Sequence, residues 1–151
     1  MIKLTDANMQ TYNNTQWKIG EKKIVKGEGK LGSAGWLHCY PDLTTAITLN
    51  HLHADFNVNT MRAFEILAEG KMLFDGNTRL GASEMTFIKE ISLKGIILDQ
   101  PTLLKLTEHS NWRVRHAAAE RITDQPTLLK LTEHLDWRVR RAAAERIKNL
   151  K

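Results

Sequence analysis

The sequence predicts an α+β protein: a small, mostly antiparallel sheet domain over residues 1–98, then two helical hairpins over residues 99–151. Three observations carry this. Residues 99–122 and 124–147 are one segment written twice, identical at 21 of 24 positions with a period of 25. Each copy places helix-capping residues at matching points. The first 98 residues hold all the glycine and show period-two alternation, the pattern of half-buried strands.

The sheet elements follow in chain order. Residues 17–19 and 23–25 read as short strands, and 36–40 (WLHCY) as a firmer one. Pro41-Asp42 opens a short helix over residues 43–49. Residues 63–69 alternate Phe64, Ile66 and Ala68 with Glu65, Leu67 and Glu69, so they read as a strand, with a helix as the alternative. Gly70 and Asp75-Gly76 supply turns, and residues 85–93 form the last strand.

Each repeat (99–123 and 124–148) reads as two helices. Asp99 and Asp124 are N-caps, and Pro101 and Pro126 sit in the first turn, where a missing N–H does no harm. Leu103, Leu104 and Leu106 line the first helix, which stops near His109. Asn111 and Asp136 cap the second, which starts at Trp112 or Trp137 and runs to Ile122 or Ile147. Ala117, Ala118 and Ala119 allow close helix approach. Paired helices at this period are an α-solenoid fragment. Solenoids need about three repeats, so these two are expected to depend on the preceding residues. The outer end of the second is expected to meet a partner or a second copy of the chain.

Net charge is +5, of which +1 lies in residues 1–98 and +4 in 99–151. At 100° per residue, Val114, Ala118 and Ile122 form an apolar stripe that Ala119 and Trp112 widen. Arg115 and Arg140 fall inside that arc, where each is expected to bond a cap residue or orphan helix-end carbonyls. Arg113 and Arg138 point away from it. With Arg141, Lys105 and Lys130 they make a candidate basic contact stripe; a merely solvated face is the alternative. The four tryptophans, Trp17, Trp36, Trp112 and Trp137, read as packing residues.

Other candidate chemistry is thin. Residues 27–32 spell G-x-G-x-x-G, but dinucleotide binding needs a helix opening at the loop, so a flexible hairpin loop is expected. His51 and His53 would share one face of an extended segment, where His38, Cys39 and Asp55 could join them around zinc. Cys39, the only cysteine, needs a base within reach to act as a nucleophile. No catalytic residue, metal or cofactor is assigned. No apolar run approaches the roughly 18 residues of a membrane span, and the first twenty residues lack a signal-peptide stretch. The expectation is a soluble, cytoplasmic protein.

The segment TLLKLTEHSNWRVRHAAAERI, with its D/N-W-R-V-R-x-A-A-A core, resembles the leucine-rich repeat variant family and, more loosely, HEAT repeats. The resemblance implies stacked helices that offer a binding surface. TYNNTQWKIG, GWLHCYPDLTTAITLNHLHADF, AFEILAEG and MTFIKEISL resemble an uncharacterised family of phage and prophage domains, which implies no particular activity. Together they imply a non-enzymatic, phage-derived protein-binding module that modulates or inhibits a host or phage protein. Two alternatives stay open. One is weak nucleic-acid binding through the basic repeat face. The other is a small ADP-ribosyltransferase-like enzyme, to which G-W-L-H followed by a helix and a strand is similar.

Overall fold

The computed structural model describes residues 1–76 and 78–150. The fold is α+β, and the chain divides into two compact units, Met1–Ile96 and Ile97–Lys151.

The first unit holds strands β1 (Ile2–Thr5), β2 (Gln10–Thr11), β3 (Thr15–Gln16), β4 (Lys22–Ile24), β5 (Leu37–Cys39), β6 (Arg62–Phe74) and β7 (Leu80–Ile91), with helix α1 (Leu43–His53) after β5. The long β6–β7 hairpin is its spine. β1 pairs with the start of β6, while β4 and β5 take different heights on the other edge of β7, all antiparallel. Ile2 and Tyr40 then exchange backbone hydrogen bonds of 2.9 and 2.8 Å, so β1 also meets the chain leaving β5. The sheet thereby curls round on itself.

Inside the curl, Leu37, Cys39, Phe64, Ile66, Leu80, Met85 and Phe87 pack around Trp17. Trp17 stacks on Phe87 at 4.4 Å, and its Nε1 donates to Thr11 Oγ1 at 3.0 Å, which satisfies the one polar atom it buries. Trp17 therefore plugs the core while Lys18 and Ile19 are exposed, and residues 17–19 make a single bridge, from Ile19 to Phe87, rather than the expected strand.

β1 was not expected: Ile2 and Leu4 alternate with Lys3 and Thr5, but over only four residues, and the structure buries all four. Gly70 does not turn the chain either. At φ +74° it sits in a bulge between Glu69 and Met72, where Ser83 Oγ accepts the Lys71 N–H, and β6 continues to Phe74. The reversal comes after Phe74. There Asp75 Oδ1 accepts from Thr78 Oγ1 and the Arg79 N–H, and Gly76 adopts φ +86°.

The second unit contains α2 (Gln100–Leu106), α3 (Trp112–Ala119), α4 (Gln125–Leu131) and α5 (Trp137–Asn149). The four expected caps form. Asp99 accepts from the Thr102 N–H, Asn111 from Arg113, Asp124 from Thr127 and Asp136 from Arg138. Leu103 and Leu128 are fully buried, as are Val139, Ala117, Ala118 and Ala119. Truncating either leucine to alanine removes about 2–5 kcal/mol of packing. α3 ends at Ala119, short of the expected Ile122, because the chain must free Asp124 to cap α4; Ile122 is buried in the turn. α5 continues to Asn149. Among the described residues no helix is long and apolar enough to cross a membrane.

Candidate functional site

Helices α3 and α5 form a groove of about 400 Å³, lined by Trp112, His116, Glu120, Trp137, Arg138, Arg141 and Glu145. The repeat explains this lining. Residues 112, 116 and 120 are spaced i, i+4, i+8 and share one helical face; residues 137, 141 and 145 are their counterparts 25 positions on. Two copies of one helix face lie side by side. Each cap fixes where its helix begins, and so where each tryptophan stands, directly after Asn111 or Asp136.

The centre of the groove is a cation between two indoles. The Arg138 Cζ lies 4.5 Å from the ring centroid of Trp112 and 4.8 Å from that of Trp137. Arg113 reaches Trp112 at 5.5 Å. Trp112 and Trp137 are 43% and 52% exposed, which corrects their reading as packing residues. Trp112 shares the azimuth of fully buried Ala119, but at the opposite end of an eight-residue helix, so azimuth alone does not decide burial. The dipeptide Trp-Arg after each cap was the available signal.

Ion pairs border the groove. Arg141 Nε donates to Glu145 Oε1 at 2.8 Å, which raises the arginine's pKa and lowers the glutamate's. His116 Nδ1 lies 3.6 Å from Glu120 Oε2. Arg138 is 3.7 Å from Asp136 Oδ1. The basic residues therefore face carboxylates within the same surface.

The five residues of the candidate stripe do not form one line. Arg138 and Arg141 line the groove and Arg113 stands beside it on α3, whereas Lys105 and Lys130 are exposed on α2 and α4, outside the lining. Outside the groove lining, half-buried Arg115 and exposed Arg140 both bond loop carbonyls, as expected of them. Arg115 Nε and Nη2 donate to Asp136 Oδ2 at 2.9 and 2.6 Å, and its Nη1 donates to the carbonyls of His109 and Ser110. The backbone N–H of Arg138, followed by the Arg115 guanidinium, holds the Asp136 carboxyl below its usual range. Arg140 Nη1 likewise donates to the carbonyls of His134 and Leu135.

In the first unit His38, Cys39 and His53 are drawn into structural contacts, whereas His51 and Asp55 are exposed. His51 and His53 lie on α1, where residues two apart point about 200° from each other, so the shared extended face does not exist. His53 Nδ1 meets the Tyr40 hydroxyl at 3.2 Å. His38 Nε2 accepts the Gly32 N–H at 2.9 Å, and burial, with Lys3 and Arg79 nearby, pushes its pKa down to about 4. Cys39 is fully buried, which pushes its thiol up to about 12. The glycine-rich segment is pinned by His38 and by Trp36 Nε1 donating to the Gly29 carbonyl, and the next helix opens only at Leu43. It is a stapled loop, rather than a flexible one, without the helix that phosphate binding requires.

A protein-family model described as HEAT repeat matches residues 100–124. The match supports a HEAT-like helical repeat in the C-terminal part and does not bear on the phage-domain resemblance of the N-terminal part. No curated protein and no solved structure matches the chain.

Proposed function

We propose that the chain is a non-enzymatic protein-binding module whose contact surface is the α3–α5 groove. The observation that carries this is the exposed Trp112–Arg138–Trp137 stack. Tryptophan and arginine are the residues that most often dominate binding energy at protein interfaces. Here the rings and guanidinium hold one another in place before a partner arrives, which lowers the entropy lost on contact. The HEAT-repeat match supports a protein-interaction role in general. The phage-domain resemblance of the first unit directs the search to a host or phage protein. Nucleic acid is the second reading, favoured by the two exposed indoles, on which bases would stack. Glu120 and Glu145 disfavour it, since they place carboxylates where a phosphate backbone would run.

The test compares the parent with Trp112→Ala/Trp137→Ala as bait in nuclease-treated lysate, alongside polarisation of a labelled single-stranded oligonucleotide over a salt series. A protein held by the parent and lost by the variant supports the proposal. Oligonucleotide binding that the variant loses, and that falls steeply between about 50 and 200 mM salt, overturns it in favour of nucleic acid. A partner held equally by both moves the contact surface elsewhere.

A further inference from the structure

The joint between the two repeats is built from polar pairs that the 25-residue period copies onto the outer face of the second repeat. At the joint, Arg115 of the first repeat grips the cap carboxylate Asp136 of the second at 2.9 and 2.6 Å. Glu108 of the first meets His134 Nε2 of the second at 3.2 Å. Trp112 of the first receives the Arg138 guanidinium of the second at 4.5 Å. One period on, the same donors and acceptors are Arg140, Glu133 and Trp137.

Arg140 is already posed for such a contact. Its Nη1 holds the carbonyls of His134 and Leu135 at 2.7 and 2.9 Å, as Arg115 Nη1 holds those of His109 and Ser110 at 2.7 and 2.8 Å. Among the described residues, no carboxylate meets its Nε and Nη2, and no cation meets Glu133. Trp112 holds two guanidiniums, Arg113 and Arg138, whereas Trp137 holds one. Beside Arg140, Leu135 is 99% exposed where the first repeat has Ser110.

The complementary half lies on the same chain. Asn111, His109 and Arg113 stand in the first repeat where Asp136, His134 and Arg138 stand in the second. His109 Nδ1 accepts the Asn111 N–H at 3.0 Å, as His134 Nδ1 accepts that of Asp136 at 3.0 Å, which leaves Nε2 of His109 available to a carboxylate. We propose that the outer face of the second repeat binds the first repeat of a second copy of this chain, head to tail, with Arg140, Glu133 and Trp137 meeting Asn111, His109 and Arg113. The contact goes beyond the groove: Arg140 and Glu133 lie outside its lining, only Trp137 is shared with it, and the partner is a second copy of the chain. Asn111 stands where the internal joint has a carboxylate, so the contact between copies is weaker than the joint it imitates.

The test is sedimentation velocity of the full chain over a concentration series, with far-UV circular dichroism of each variant. The parent should rise above its 17.3 kDa monomer mass as concentration increases. Asn111→Asp keeps an N-cap and supplies the missing carboxylate, so it should move the association midpoint to about tenfold lower concentration. Adding Arg140→Glu to that variant should abolish the gain. A parent and an Asn111→Asp variant that both stay monomeric throughout overturn the proposal. Association that is unchanged by both substitutions also overturns it, because the surface then lies elsewhere.

Discussion

Arg115 and Arg140 occupy the same place in consecutive repeats but do unequal work, and the difference between them measures the link between the repeats. Each anchors two loop carbonyls through Nη1, so that loss is common to both alanine substitutions. Only Arg115 also grips Asp136, whose side chain is 10% exposed. Removing one partner of a fully buried pair costs about 3–5 kcal/mol. The Arg115 side chain is 20% exposed, so screening reduces its share to about 1–2 kcal/mol. Arg115→Ala should therefore be about 1–2 kcal/mol more destabilising than Arg140→Ala. The assay is urea denaturation followed by far-UV circular dichroism, at a dilution where the chain is monomeric. Asp136→Asn, which keeps the cap and leaves the Arg115 bonds to the His109 and Ser110 carbonyls, should reproduce only that increment, and adding it to Arg115→Ala should cost little more. Because the Arg138 N–H and, after it, the Arg115 guanidinium hold the Asp136 carboxyl below its ordinary pKa, the increment is present above pH ~4 and is lost as pH falls below it. Equal losses from Arg115→Ala and Arg140→Ala would refute the reasoning: the cross-repeat ion pair would then contribute nothing.

Two further outcomes are expected in the first unit. Gly70→Ala forces a left-handed φ on a residue with a Cβ, at about 1–2 kcal/mol, and drives that Cβ to 2.2 Å from Ser83 Oγ; thermal melts should show a loss larger than the backbone cost alone. His38 titrates near pH 4 when folded and near 6.5 when unfolded, so the unfolded chain binds the extra proton between those values and stability falls as pH drops through that window, by about 1–2 kcal/mol after allowance for partial exposure. Burial also pushes His53 down to about 4, so His38→Gln, whose Oε1 can accept the Gly32 N–H at any pH, should reduce that slope in urea melts and leave the share that His53 carries; an unchanged slope would show that His38 contributes nothing to it.

The helical half was legible because its information is local and printed twice. Asp99, Asn111, Asp124 and Asp136 each cap the helix that follows them within three residues, and the inward azimuth of Arg115 led directly to Asp136 and the loop carbonyls. The groove was less legible. Whether Trp112 and Trp137 lie covered or open depends on what stands beyond the helix end, which no periodicity within the helix encodes. In the first unit the misses share one cause, which is that the deciding partner lies far along the chain. β1 alternates Ile2 and Leu4 with Lys3 and Thr5 over too short a span to stand out, and both of its faces are covered, with Lys3 Nζ donating to the distant His38 carbonyl. Gly70 carries a positive φ that suits a bulge as well as a turn, and Ser83, thirteen residues later, makes it a bulge. α1 outran its expected end because Asp42 caps it firmly and Asn50 clamps the backbone of Phe56 with both side-chain amide groups, which carries the helix through His51 and His53 and removes their shared face.

The closing seam between Ile2 and Tyr40 sets an order of assembly. β6 and β7 are joined by a short turn and zip together locally, a microsecond event for a hairpin. β1, by contrast, is made well before its partner, for its main register is with residues 62–65, some sixty positions downstream. Until those residues emerge, Ile2 and Leu4 have no strand to pair with and their side chains stay in water. The entropic toll of closing so long a loop is met only after the hairpin has formed a surface to receive it. In hydrogen exchange, the amides of Ile2 and Tyr40 should therefore gain protection after those of Leu67 and Thr86, which pair within the hairpin, and the seam should be the first part of the sheet to open on the way back.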